Sequence, residues 1–118
     1  MEALKPKIIQ LKSYEFAKCV VIFCIEFQQQ KNEYVLSKQL LRSGTSIGAN
    51  IEEAIGGISK KDFRAKMSIA YKEARESKYW LRLIRDCKLQ PIEKIEPLLN
   101  ELEEMLKILF KIIRSSTE

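Results

Sequence analysis

The side chains able to do chemistry in this sequence form two sets, a group of carboxylates and a run of cations. Glu52, Glu53, Glu73 and Glu76 are the carboxylates that facing helices could bring together to hold a metal or to act as acid and base, as the glutamates of di-iron bundles do. Those bundles complete their sites with Glu-x-x-His, and this chain has no histidine. Its absence also removes every nucleophile–histidine pair. Residues 44–48, GTSIG, carry glycines inside a helical pattern and lack the lysine of a phosphate-binding loop. The expectation is no catalytic residue, no metal, no cofactor and no enzyme activity.

The cations say more. Residues 59–90 hold ten Lys or Arg against four Asp or Glu, whereas residues 91–118 hold four against six. At ~3.6 residues per turn, Lys61, Arg64, Lys72, Arg75, Lys78, Arg82 and Arg85 fall close to one stripe of a helix. Such a stripe suits a protein that lies along the phosphate backbone of RNA or DNA. Tyr71, Tyr79 and Trp80 are interspersed, which suits stacking on unpaired bases, although a small bundle has more use for its one tryptophan in a core or interface. The plainer reading keeps the stripe as a solvated face, paired with the acidic last helix or with Glu73 and Glu76 on the same helix. Charge alone leaves both readings open.

These residues need elements to position them. A chain of 118 residues suits one domain, here residues 1–118, and 46% apolar with 31% charged residues is too apolar for disorder. With only four Gly and three Pro, helices are favoured. Amphipathic segments near 13–30, 34–56, 59–88 and 92–114 predict an all-α fold, an antiparallel up-down-up-down four-helix bundle. Residues 1–12, with Pro6, read as an arm, and Ser13 as the N-cap of the first helix. That helix has Tyr14, Ala17, Val20, Val21, Cys24 and Phe27 on one face, while Phe16, Ile22, Phe23 and Ile25 widen the apolar surface nearly all round. It needs cover on two sides, either from a central place in the bundle or from another subunit.

The second helix keeps a seven-residue rhythm through Leu36, Leu40, Ser43 or Gly44, Ile47, Ile51, Ala54 and Ile58, with Gly56-Gly57 as a left-handed stop. The third starts at Ser59 with Asp62 three residues on, and Phe63, Met67, Ala70, Ala74, Ser77, Leu81 and Ile84 form its seam. The fourth buries Ile95, Leu98, Leu99, Leu102, Met105, Leu106, Leu109, Ile112 and Ile113, with Pro97 in its first turn or at a small kink. Within residues 42–53 the small side chains let a neighbouring helix approach. Ser46, Asn50 and Glu53, within reach of Glu73 and Glu76, read as a structural polar network that sets register. Cys19, Cys24 and Cys87 read as reduced core thiols, and the lack of a signal-like or membrane-spanning run points to the cytoplasm.

The run RSGTSIGANIEEAIGG, followed by DFRAKMSIAYKEARESKYWLRLI, resembles the bacterial S23 or 23S rRNA intervening-sequence protein family. The likeness rests on Ser46, Ile47, Asn50, Ile51 and Glu53, and on Glu73, Ala74, Glu76, Trp80 and Leu81. It departs at Ala54-Ile55, where many members carry Glu-Gly and an aromatic. The resemblance implies a small up-down bundle, often assembled as a ring-like homopentamer, with no established catalytic activity. Some members are encoded within intervening sequences of 23S rRNA genes, and related accessory proteins of diversity-generating retroelements are basic pentamers that engage nucleic acid and a reverse transcriptase. The expected function is a non-enzymatic oligomer that binds RNA or DNA through the basic third helix. The rival is a structural or protein-binding scaffold with no nucleic-acid role. Expected partners are further copies of the chain, nucleic acid and a protein, but no membrane.

Overall fold

The computed structural model describes residues 4–116, which form four helices: α1 (Leu4–Lys31), α2 (Leu36–Ile55), α3 (Lys60–Asp86) and α4 (Ile92–Ser115). Each helix packs on two neighbours, α1 on α2 and α4, and α3 on α2 and α4, around a shared apolar core. The cross-links give the directions. Gln10 reaches Glu52 and Gln28 reaches Ser37 between α1 and α2, while Glu53 meets Lys66 and Ser43 meets Ser77 between α2 and α3. Tyr71 meets Phe110 and Lys78 meets Glu103 between α3 and α4, and Lys12 meets Glu101 and Glu26 meets Lys94 between α1 and α4. In every pair one number rises as the other falls, so sequential neighbours run in opposite directions.

The seam expected on α3 is the one observed: Met67, Ala70, Ala74, Ser77, Leu81 and Ile84 are buried, with Phe63 half-buried at its start. The polar outer face leaves this helix one way to turn. α1 differs from its expected form. It starts at Leu4, and Ile9, Ser13, Phe16, Val20, Phe23, Cys24 and Phe27 carry its buried face, with Tyr14 and Val21 exposed. Pro6 does not interrupt it, because a first-turn residue has no intrahelical acceptor for the N–H that proline lacks. Ser13 is therefore no cap; it is buried in mid-helix, its hydroxyl donating to the Gln10 carbonyl at 3.1 Å. Residues 1–3 of the expected arm lie outside the described residues.

The small residues of α2 act on two neighbours. A Cβ on Gly44 would stand 2.9 Å from Val20 Cγ1, so α1 approaches there as closely as a glycine allows. Ser43, on the adjoining face, meets Ser77 of α3. Asn50 does not cross between helices: its amide donates to the Ser46 carbonyl at 2.8 Å within α2. The expected register device is thus displaced one to two turns toward the N-terminus of α2.

The end of α2 corrects two further expectations, and the thiols a third. Gly56 has φ −82°, and among the described residues the left-handed ones are Asn32 and Lys88. At Gly57 a Cβ would lie 2.6 Å from the Asp62 carboxylate, which can swing aside, and 3.0 Å from the Ala54 carbonyl, which is the tighter restriction. Ile58 falls beyond α2 and is 97% exposed instead of seated in the seam. Among the thiols only Cys24 is buried, and burial, with Glu33 nearby, pushes it up to about 12; Cys19 and Cys87 are exposed.

Candidate nucleic-acid interface

Ser59 starts α3, its hydroxyl oxygen accepting the Asp62 N–H at 3.0 Å. With one side of the helix held against the core, the cations off that side are forced outward. Lys61, Lys72, Arg75 and Arg82 are exposed; Arg64, Lys78 and Arg85 are half-buried. The stripe is not electrically uniform. In its C-terminal half Lys78 pairs with Glu103 of α4, and Arg85 Nε donates to Asp86 at 2.8 Å. That bond holds the Asp86 carboxyl below its ordinary range, and Arg82 adds to the effect. From the N-terminus to Arg75, Lys61, Arg64, Lys72 and Arg75 have no ion pair among the described residues, and beyond Arg75 in the stripe only Arg82 shares that state.

The cause lies in α4. Glu93, Glu96, Glu101, Glu103 and Glu104 all precede Lys107, and the cations Lys107, Lys111 and Arg114 follow with no acid between them. Because α4 runs antiparallel to α3, its acidic half lies beside Lys78 to Arg85 and its basic half beside Arg64 to Arg75. At that basic end Tyr71 and Phe110 bridge the two helices, ring centroids 6.3 Å apart and planes inclined by 45°. The Arg114 guanidinium lies 5.8 Å from the centre of the Phe110 ring, and Phe110 is 50% exposed. The result is a half-exposed aromatic pair set among cations from two helices, which can neutralise phosphates and offer a ring face to a base. Lys107, Phe110, Lys111 and Arg114 were not legible from the net charge of residues 91–118. Dividing that segment at Lys107 is the signal that finds them.

The carboxylates are engaged separately. Arg42, at the start of the small-residue stretch, donates to Glu73 at 3.2 Å and to Glu76 at 2.7 Å. The Trp80 indole N–H donates to Glu76 at 3.0 Å, and this bond together with Arg42 holds the Glu76 carboxyl below the usual carboxylate range. Trp80 is thereby fixed on the α2 side of α3, while exposed Tyr79 meets its ring edge-on at 5.1 Å. Glu53 pairs with Lys66, and Glu52 accepts from Gln10. Ser46 donates to the Arg42 carbonyl. Of the five residues expected to form one polar network, the structure joins Glu73 and Glu76, through Arg42, ties Glu53 separately to Lys66 across the α2–α3 seam, and leaves Ser46 and Asn50 in contacts within α2. Among the described residues no three His, Cys, Asp or Glu side chains gather closely enough to hold a metal, and no helix is long and apolar enough to cross a membrane.

Residues 6–111 match the family described as the 23S rRNA-intervening sequence protein. The chain is also similar to a protein of unknown function from the S23 ribosomal protein family of Bacteroides thetaiotaomicron. Its crystal structure has 43% sequence identity and a TM-score of 0.90, covering 93% of this chain and 98% of that one. No curated protein matches.

Proposed function

Because this chain belongs to the 23S rRNA-intervening sequence protein family, we propose that it is a non-enzymatic helical bundle that assembles with copies of itself and binds nucleic acid. The contact surface is the N-terminal half of α3 with the C-terminal half of α4, a narrower and partly different surface from the full α3 stripe. The observation that carries this reading is the convergence of cations from two helices around the Tyr71–Phe110 pair at the one end of the stripe that α4 does not neutralise. Ion pairing inside the protein would leave such cations no reason to gather. The paired C-terminal half, Lys78 with Glu103 and Arg85 with Asp86, favours the second reading, a scaffold whose charges serve only its own packing.

Titration with labelled single-stranded RNA and duplex DNA over a range of salt separates the two. Binding through phosphates makes log affinity fall with log salt, by about 0.7 per contact for single strands and 0.9 for duplex. Changing Arg64, Arg75, Lys107 and Lys111 together to Glu abolishes binding, whereas Arg82→Glu has a smaller effect. Phe110→Ala weakens the single strand by about 1–2 kcal/mol and the duplex less, since only unpaired bases present a ring face. No binding at low salt, or wild-type affinity in the fourfold variant, leaves the scaffold reading in its place.

A further inference from the structure

α2 and α4 hold α1 from two sides, through Gln10 and Gln28 on one and Lys12 and Glu26 on the other, which leaves a third side to solvent. On that side Ile8, Leu11, Glu15, Lys18, Ile22 and Ile25 follow one another at alternating steps of three and four, and all six are exposed except as α1 itself covers them. Such spacing keeps side chains on one line of a helix and is the pattern of a seam that packs on a second helix. The bundle does not use this line, since the buried face of α1 is the one that carries Phe16, Val20 and Phe27. Its order is the same from either end: two apolar residues, two charges, two apolar residues, about a midpoint between Phe16 and Ala17. The two charges have opposite sign. Glu15 and Lys18 lie 3.2 Å apart within the helix, and both side chains are more than half exposed, so each can exchange this partner for another.

We propose that this side of α1 binds the same side of α1 in a second copy of the chain, the two helices running antiparallel about a twofold axis beside that midpoint. In this register Ile8 meets Ile25 of the partner subunit and Leu11 meets Ile22 of the partner subunit, each twice, and Glu15 meets Lys18 of the partner subunit twice at the centre. A parallel pair would instead set Glu15 against its own copy and Lys18 against its own. A foreign helix needs no order that reads alike in both directions, whereas a twofold copy requires it. The alternation of three and four suits helices that cross at about 20°, and from Ile8 to Ile25 the contact extends about 25 Å. Tyr14 and Val21, exposed along one flank of the line, lie across from the same flank of the second copy and widen the apolar contact. The charged centre costs stability and fixes the register. This contact rests on the self-assembly proposed above, to which it adds the face and the orientation, and it does not depend on the cations around Tyr71 and Phe110.

Sedimentation of the full chain over a dilution series measures the pairing. Glu15→Lys alone, or Lys18→Glu alone, sets like charges together at the twofold axis and weakens the pairing about tenfold, and Glu15→Lys with Lys18→Glu restores it. Both side chains are exposed, so helicity is the same in all three variants. The register has its own test in chains that also carry Cys19→Ser and Cys87→Ser. A short thiol cross-linker joins Leu11→Cys chains to Ile22→Cys chains in a mixture and joins neither kind alone, because two copies of either position stand about 16 Å apart along the helix axis. A chain that is monomeric at micromolar concentration overturns this contact together with self-assembly. An oligomer that ignores the single charge reversals and gives no mixed cross-link, or that closes with an odd number of chains, overturns the twofold contact alone and leaves self-assembly to another face.

Discussion

Ser77 Oγ lies 2.9 Å from Ser43 Oγ in the buried seam between α2 and α3. Each hydroxyl also reaches a carbonyl of its own helix, Ser77 that of Glu73 at 2.9 Å and Ser43 that of Leu40 at 3.4 Å. With one proton each, the pair can share one bond across the seam and still have a backbone acceptor at hand. Changing either serine to Ala removes the same cross-helix bond and costs about 1 kcal/mol, so the double change costs less than the two single changes added. Urea unfolding of the three variants measures this. Strictly additive losses mean that the bond contributes nothing.

The two glycines of α2 that face α1 respond to Ala with opposite signs. A methyl at Gly44 meets Val20 Cγ1 at 2.9 Å, and Val20 is fully buried and β-branched, so it cannot swing away. Overpacking of this kind costs about 1–3 kcal/mol, against a gain in helix propensity of up to about 1. Gly44→Ala is therefore destabilising. At Gly48 the nearest atom is Ser13 Oγ at 3.4 Å, an ordinary contact, so propensity decides and Gly48→Ala stabilises by about 0.5–1 kcal/mol. Thermal unfolding distinguishes the signs, and a stable Gly44→Ala variant shows that α1 can draw back.

The start of α2 is held by a carboxylate. Glu33 accepts the N–H groups of Val35, Leu36 and Ser37 at 3.1, 2.8 and 2.8 Å. Partial burial works against its ionisation, but the bonds from Leu36, Ser37 and Val35 outweigh it and lower its pKa from the ordinary 4.5. A pKa lowered by folding contributes stability that is complete above the unfolded value and is lost as pH falls through the folded one. Glu33→Gln is thus less stable than the wild type at pH 7, by about 1 kcal/mol as for a lost helix cap, and the gap narrows below pH 4.5. Melting curves of both proteins from neutral pH to pH 3 check the trend, and a gap that does not change with pH removes the charge from the explanation.

What could be read from the chain depended on how one-sided each helix is. α3 carries polar residues on all but one face, so Met67 to Ile84 had a single phase and were placed correctly. α1 is apolar nearly all round, so its periodicity could not choose between Tyr14 and Phe16 or carry the helix back through Ser13 to Ile9. The cations of α3 were visible as a stripe, but which of them stay unpaired depends on the direction of α4. Only the antiparallel pairing brings Glu103 to Lys78 and Phe110 to Tyr71. Arg42 carries no periodic signal in a stretch defined by small residues, and only the packing of α2 on α3 brings its long side chain to Glu73 and Glu76.

The same all-round character of α1 carries the prediction about assembly. Leu11, Tyr14 and Ile22 are 68%, 64% and 60% exposed, and beside them a groove of about 430 Å³ between α1 and α4 is floored by Leu11, Phe16, Cys19, Pro97 and Leu98 and edged by Lys12, Glu15 and Glu101. An apolar floor with a charged edge is the pattern of a surface that a second copy would cover, and assembly through it is the expected outcome. Because Leu11 and Ile22 face outward, Leu11→Glu with Ile22→Glu leaves the fold of one chain intact. Light scattering then reports an oligomer for the wild type and a smaller species for the variant, with unchanged helicity. The thiols supply an independent reading. Cys19 lies in the groove and Cys87 at the end of α3, both exposed in the single chain, whereas Cys24 is buried with its thiol pushed up to about 12. In the assembled protein an alkylating reagent modifies Cys87 ahead of Cys19, and in the variant it modifies both, leaving Cys24 unreacted in each. A wild-type monomer at micromolar concentration, with Cys19 as reactive as Cys87, places the covering surface elsewhere and leaves α1 facing water.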